Sequence, residues 1–434
     1  MIPTLRLLRL SGVWFALGVC AALWPQFMVL WQVFGGGLLL AIIMDAAGVL
    51  TSKPLRIERQ LPSRLALSIP HEVGLTIHNP NGRAVTVEFY DGLPETVESE
   101  QLPWRGTVPG RGFTQVNYIA TPMQRGEVVF TGCHTRLESL FGLWQRKAVD
   151  PQSSSVKIYP NYEPVVRYTL LTMTNRASEM GIVAKNRVGQ SRDFHQLRDY
   201  QDGDVLSQVD WKATARRGHL ISREYREQRD QTLILMVDSG RRMRTLDGAL
   251  PQFEHCLNSV LLLSYIALRQ GDQVGVMSFG GTNRWLPPVK GQHSMNVILN
   301  HLYDYQTTTA PSDFSEAAEQ LMARQRRRSL VVLLTNLRTE DSSHLIVPLQ
   351  LLRRRHLVVV ASLREKEMSD RLKAPVINFN DALLNSAGHA YLEERAHFLA
   401  KLRDHGVMTL DETAEGLPSA LANMYLDIKK RGSL

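Results

Sequence analysis

The apolar run TLILMVD ends on Asp238. Core packing does not explain an acid at the tip of such a run. Two kinds of chemistry are open to it. Its oxygens could hold a divalent cation, or they could accept backbone N–H groups from a neighbouring loop. Ser239 follows it, and the later apolar runs end near Ser278, Asn336 and Ser362, all small polar side chains. Ligands of an open parallel sheet bind outside the carboxyl ends of its strands, so these positions are the first place to look for a site.

A second concentration of charge lies upstream, in RDYQDGDVLSQVDWKATARRGHL (198–220). Asp199, Asp202, Asp204 and Asp210 alternate with Arg198, Lys212, Arg216 and Arg217, so bidentate Arg–carboxylate pairing is available. Asp202-Gly203-Asp204 suits a tight turn. Trp211 offers a large area to bury and one N–H in need of a partner. The spacing is not that of a calcium loop, and Asp residues without a nucleophile do not make an active site. His195 and His219 are general bases in principle, but no substrate pocket is marked around them. The block reads as a rigid ion-paired clasp between two domains, with a partner-binding face as the alternative. Cys133 and His134 fall on opposite faces of a strand, which suits neither a metal pair nor a nucleophile–base pair.

The basic runs form a third group. Arg324, Arg326, Arg327 and Arg328, then Arg353, Arg354 and Arg355, each end a helical pattern just before an apolar strand. They are expected at the amino ends of the strands, opposite Asp238. The helix dipole favours cations there. Two clusters on one rim also suit anionic lipid headgroups. Nucleic acid is not expected as a partner, because no aromatic side chains interleave with the arginines. No phosphate-binding glycine loop, dinucleotide fingerprint, H-E-x-x-H or G-x-S-x-G occurs.

The elements that must carry these residues fall into three parts. Residues 10–50 are almost wholly apolar or small, broken by Trp24-Pro25-Gln26. They read as two membrane helices, about 8–24 and 27–48, in a hairpin within 1–52. Arg6 and Arg9 precede it, and Lys53, Arg56 and Arg59 follow it, which puts both flanks in the cytoplasm. Asp45 is expected near the cytoplasmic interface. Residues 55–160 alternate apolar and polar side chains between turn signals, as in an antiparallel β-sandwich. Residues 161–190 read as a linker and 191–231 hold the charged block. From 232 to 434 buried strands alternate with amphipathic helices, which means an α/β domain with a mostly parallel, doubly wound sheet. The chain has 434 residues, a net charge of +8 and three cysteines without C-x-x-C spacing, so anionic surroundings and a reducing compartment fit.

With TLILMVDSGRRM, DQVGVMSF and LVVLLTN, the last part resembles a von Willebrand factor A-type domain. The block carrying Arg198, Tyr200, Gly203, Asp204, Asp210, Trp211 and Arg216 resembles the signature of the domain-of-unknown-function 58 family, bacterial proteins with that fold. RGEVVF and ESLFGLW in the β region agree with it. The resemblance implies an oxygen-ligand site for Mg²⁺ at a D-x-S-x-S loop, joined by a Thr and an Asp from two further loops. Here Asp238 is kept, Gly240 and Arg242 replace the two Ser, Ser312 or else Thr309 stands in for the Thr, with Ser312 preferred, and Asn336 for the acid. A metal site is therefore expected to be degenerate and no cofactor is required. The resemblance also implies a bacterial inner-membrane protein with cytoplasmic soluble domains. It would be an adaptor for a MoxR-type AAA+ ATPase, with a transglutaminase-like membrane protein as a further partner, in assembling or remodelling envelope complexes. The alternatives are a metal-dependent hydrolase using Asp238 and a structural membrane organiser that needs no ATPase. Oligomeric state is left open.

Overall fold

Thr4 accepts the Leu7 backbone N–H at 3.4 Å and caps the first helix, α1 (Leu5–Leu23), three residues ahead of the start the apolar pattern gives. A short turn at Pro25–Phe27 leads into α2 (Met28–Leu50). The computed structural model describes residues 1–173, 177–182, 193–201, 204, 206–226, 231–338 and 344–432. It divides into two compact units, Met1–Tyr159 and Pro160–Leu434.

In the first unit, α1 and α2 form an antiparallel hairpin, and both are long and apolar enough to cross a membrane. Small residues let the helices approach: Trp14 packs over Gly35, Trp31 over Gly18, and the two rings stack at 5.6 Å. Two β-sheets follow. One has four strands, including Arg56–Gln60, His71–His78 and Phe113–Pro122. The other has seven and centres on the long strand Gly126–Glu138. All pairings are antiparallel except that of Ser154–Tyr159 with Arg64–Ala66. Alternate residues such as Val116, Tyr118 and Ala120 are buried, as a strand with one solvated face requires. Across the core, Arg59 pairs with Asp91, which also accepts the Tyr118 hydroxyl at 2.6 Å and the Cys133 thiol at 3.2 Å. The side chain of Arg59 is thus buried, and it does not serve as a solvent-facing membrane flank.

Asp45 joins α2 to this β structure. Its carboxylate accepts the Ser139 hydroxyl and the backbone N–H groups of Phe141 (2.9 Å) and Leu143 (3.1 Å). Trp144 Nε1 donates to the Ile42 carbonyl, and Arg146 to those of Val49 and Ser52. The last turns of α2 are therefore held by protein, and Asp45 is a buried anchor for the loop of the ESLFGLW segment.

The second unit is built on a six-stranded sheet. Its strands are β1 (Thr232–Asp238), β2 (Gln273–Phe279), β3 (Trp285–Lys290), β4 (Leu330–Thr335), β5 (Leu357–Arg364) and β6 (Met408–Thr413). The spatial order is β3-β2-β1-β4-β5-β6, parallel throughout except for β3. β1 is buried at every residue and its side chains alternate between two cores. Leu233, Leu235 and Val237 join one, Ile234 and Met236 the other. The first core takes α3 (Glu163–Met173), α5 (Gln252–Arg269), α6 (Met295–Leu302) and α11 (Leu417–Arg431). The second takes α7 (Phe314–Arg324), α8 (Ile346–Arg353) and α10 (Phe379–Asp404), and α9 (Lys366–Lys373) packs against α10. Tyr168 of α3 is buried against the α5 side, so residues 163–173 belong to this unit and are not a linker. The charged block forms a module of its own: strands Asp193–Asp199 and Ile221–Arg226 pair antiparallel, with α4 (Trp211–Arg217) in the connection.

Candidate functional site

β1 delivers Asp238 to the carboxyl end of the sheet, fully buried. One of its oxygens, Oδ1, accepts the Gly240 backbone N–H at 2.9 Å and the Ser312 hydroxyl. The other, Oδ2, accepts the Thr335 hydroxyl at 2.6 Å, with Arg242 Nε 3.9 Å away. Burial pushes the Asp238 carboxyl above its ordinary range, and the three hydrogen bonds pull against that shift. The surrounding loops are stitched by backbone bonds: Ser239 N to the Phe279 carbonyl at 2.8 Å, Thr308 N to that of Ser239 at 2.8 Å, and Arg241 N to that of Ala310 at 3.0 Å. Two glycines make the closeness possible. A Cβ at Gly240 would collide with the Ser312 hydroxyl. One at Gly280, where φ is +81°, would lie 2.8 Å from it.

Asp238, Ser312 and Thr335 are brought together; Asn336 is not among them. Its amide donates to Gln252 Oε1 at 2.7 Å and to Glu365 Oε1 at 3.3 Å. This second cluster centres on Arg395 of α10, whose buried guanidinium binds Ser362 Oγ (2.6 Å), the Leu363 carbonyl (2.8 Å) and Asp411 Oδ1 (2.7 Å). Arg395 was not singled out from the sequence. The signal was its place on the apolar stripe of α10, in line with Phe398, Leu399 and Leu402, where a charge has to be paired.

The residues at Asp238 do not fit a Mg²⁺ site. Gly240 offers no hydroxyl where the D-x-S-x-S pattern needs one, and Asn336 is engaged elsewhere. The Arg242 guanidinium already supplies positive charge beside the carboxylate, stacked over Phe314 at 5.4 Å. What the arrangement does is tie two loops and the end of β4 to one buried acid.

In the charged block, Asp210 caps α4. Its Oδ1 accepts from Lys212 N (3.0 Å) and Ala213 N (2.9 Å), and its Oδ2 from Arg223 Nε (2.9 Å). Those bonds, the Ala213 N–H first, hold the acid below its ordinary range. Arg198 pairs with Asp204 at 2.7 Å, and Tyr200 donates to the Asp204 carbonyl at 3.1 Å. The Arg198 bond is the main cause of a lowered Asp204. Gly203, with Asp202, lies outside the described residues. Arg216 is exposed in the last turn of α4. Trp211 does not bury the area expected of it: it is 65 % exposed, and Leu206 beside it in the chain is 66 % exposed. It is the first residue of a seven-residue helix in a two-stranded module, and among the described residues no layer covers it.

The arginine rim follows the chain path, since α7 leads into β4 and α8 into β5, and all seven arginines are exposed. Several have structural work. Arg353 binds the His405 carbonyl, Arg355 that of Met322 at 3.3 Å, and Arg324 stacks on Trp285 at 5.9 Å. Burial pushes the Cys133 thiol up to about 12, so it is an inert core group.

The segment that carries the block and most of the sheet matches a family model. That model, "Protein of unknown function DUF58", covers residues 196–404. The chain is also similar to "Uncharacterized protein YeaD" of Bacillus subtilis (strain 168), 27 % identical over 267 residues, or 59 % of this chain. The match spans 63 % of that relative's length. Among solved structures, the cupredoxin domain of amoB from Nitrosocaldus yellowstonii is 13 % identical, with a TM-score of 0.18 over 25 % of this chain and 88 % of that one. The PapD-like domain 7 of human CEP192 is 13 % identical, with a TM-score of 0.19 over 25 % and 86 %. Salmonella alpha-2-macroglobulin is 15 % identical, with a TM-score of 0.20 over 24 % and 7 %. Scores of that size bear on neither fold nor function.

Proposed function

We propose that the chain is a membrane-anchored binding protein whose second unit, of von Willebrand factor A-like type, presents the carboxyl ends of its strands to a protein partner in the bacterial cytoplasm. The partner we propose is a MoxR-type AAA+ ATPase acting on envelope or membrane complexes, in company with a transglutaminase-like membrane protein. The observation that supports this reading is the closed cluster at Asp238. Both carboxylate oxygens are consumed by Ser312, Thr335 and Gly240, which ties two loops and the end of β4 to one buried acid. A preorganised surface loses little entropy on association. A hydrolase would need an open ligand set or an activated nucleophile there, and the donors present offer neither.

The test is affinity purification of the full chain from detergent-solubilised native membranes, with and without ATP, comparing wild type with Asp238→Asn. An AAA+ ATPase retained by wild type and lost with the folded variant is the expected result. The same envelope proteins in every sample, with no ATPase, would replace the adaptor reading with that of a structural organiser.

A further inference from the structure

A groove of about 880 Å³ opens in the second unit between α9, the first half of α10 and the loop after β1. It lies at the carboxyl ends of the strands: Glu365 follows β5 directly, and Thr245 and Asp247 lie just beyond the end of β1. Gly388 lets α9 lie close on α10, since a Cβ there would meet Leu372 at 2.8 Å and Met368 at 3.3 Å. The two helices thus form one firm wall.

Two properties of this place coincide. Its rim is apolar and faces solvent. Leu246, Val376 and Leu384 line it at 62 %, 53 % and 52 % exposure, and Ile377 and Phe379 next to them reach 83 % and 76 %. Among the described lining residues the charged ones are mostly acidic, Asp247, Glu365, Asp370 and Asp381 with Arg371; Lys373 lies 4.0 Å from Asp370, and Asp381 also caps α10. That sign is opposite to the net charge of +8 on the whole chain. An apolar surface of this density marks a contact site. The carboxylates decide the occupant's sign: they repel lipid headgroups and nucleic acid and attract a cationic chain.

We infer that this groove docks a cationic amphipathic segment of a protein partner, with apolar side chains on Leu246, Val376 and Leu384 and lysine or arginine on the carboxylates. The inference rests on the binding-protein reading above and gives its partner a chemistry.

The experiment uses the full chain in zwitterionic lipid nanodiscs. Two fluorescent helical peptides of equal length serve as probes, one of leucine and lysine, the other of leucine and glutamate. Anisotropy should give the lysine peptide about ten-fold tighter binding. Asp370→Lys, at an exposed position, should abolish that preference. Leu384→Asp on one wall and Leu246→Asp on the other should each weaken the lysine peptide about ten-fold, so a single misfolded variant does not decide the matter. Equal affinity for both peptides, or binding indifferent to these substitutions, overturns the proposal. So does self-association, or binding to anionic vesicles, that Leu384→Asp abolishes. If the ATPase is retained equally by wild type and Leu384→Asp, the groove proposal fails and the adaptor reading stands. If no ATPase binds while the peptide preference holds, the adaptor reading fails and the groove stands.

Discussion

At the scale of single residues, Asp238 is a buried acid with three donors and no solvent. Removing one donor leaves an oxygen short of a partner at about 1–3 kcal/mol. Thr335→Val keeps the shape and removes the bond to Oδ2. It should lower the melting temperature of the full chain in detergent by a few degrees. The raised proton affinity of Asp238 makes a second prediction. Below its ordinary value of 3.8 the carboxyl is protonated in both folded and unfolded states and has no pH effect. Above that value the native state keeps a proton that the unfolded chain releases. Stability therefore falls with rising pH by up to ~1.4 kcal/mol per unit until the native carboxyl ionises. Asp238→Asn lacks this slope. As pH rises above 3.8, wild type should lose stability relative to the variant; parallel melting curves above that pH would contradict the burial argument. The acid itself was legible from sequence, because nothing else accounts for a carboxylate ending an apolar run. Its partners were less so. Thr335, at the tip of β4, was passed over because Asn336 beside it matched the family pattern. Ser312 and Thr335 lie 74 and 97 residues from Asp238, and only the sheet order brings them together.

At the scale of elements, period-two and period-3.6 patterns were enough to read the parallel sheet, the largely antiparallel strands of the first unit and the apolar hairpin, because each element buries a regular face. What escaped that reading was contact set by single polar groups. Asp45 in α2 is such a case, with partners 94 to 98 residues away in the ESLFGLW loop. A carboxylate deep in an apolar helix looks like an interfacial charge until the loop that donates to it is in place. Trp211 is the converse: its size suggested burial, yet a two-stranded module with one short helix gives it no core to enter. Asp45→Ala strands the N–H groups of Phe141 and Leu143 and the Ser139 hydroxyl. Each stranded donor costs about 1–3 kcal/mol, enough to open the 139–143 loop. Limited proteolysis of the membrane-embedded protein should then cut within that loop at protease levels that leave wild type intact. Asp45→Asn keeps one acceptor oxygen and should fall between the two. Equal resistance of all three proteins would mean that the anchor carries no load.

At the scale of the whole molecule, function depends on which side of the membrane the second unit occupies. On the proposed orientation, the positive flanks at Arg6 and Arg9 and at Lys53 and Arg56 lie in the cytoplasm, with Arg59 withdrawn into its pair with Asp91. The chain's own thiols make a clean test. Cys133 and Cys256 are fully buried, and burial holds both thiols well above neutral pH, so neither competes for a maleimide. Only Cys20, in α1, needs replacement. In that background Gln26→Cys, in the turn between the helices, should react with a membrane-impermeant maleimide on intact cells. Lys430→Cys, in the last helix, should react only after lysis. The reverse pattern would put the Asp238 surface and the acidic groove outside, beyond the reach of any cytoplasmic ATPase. The rigid face and its groove would then have to serve an external partner, and the adaptor reading would be lost with the orientation alone.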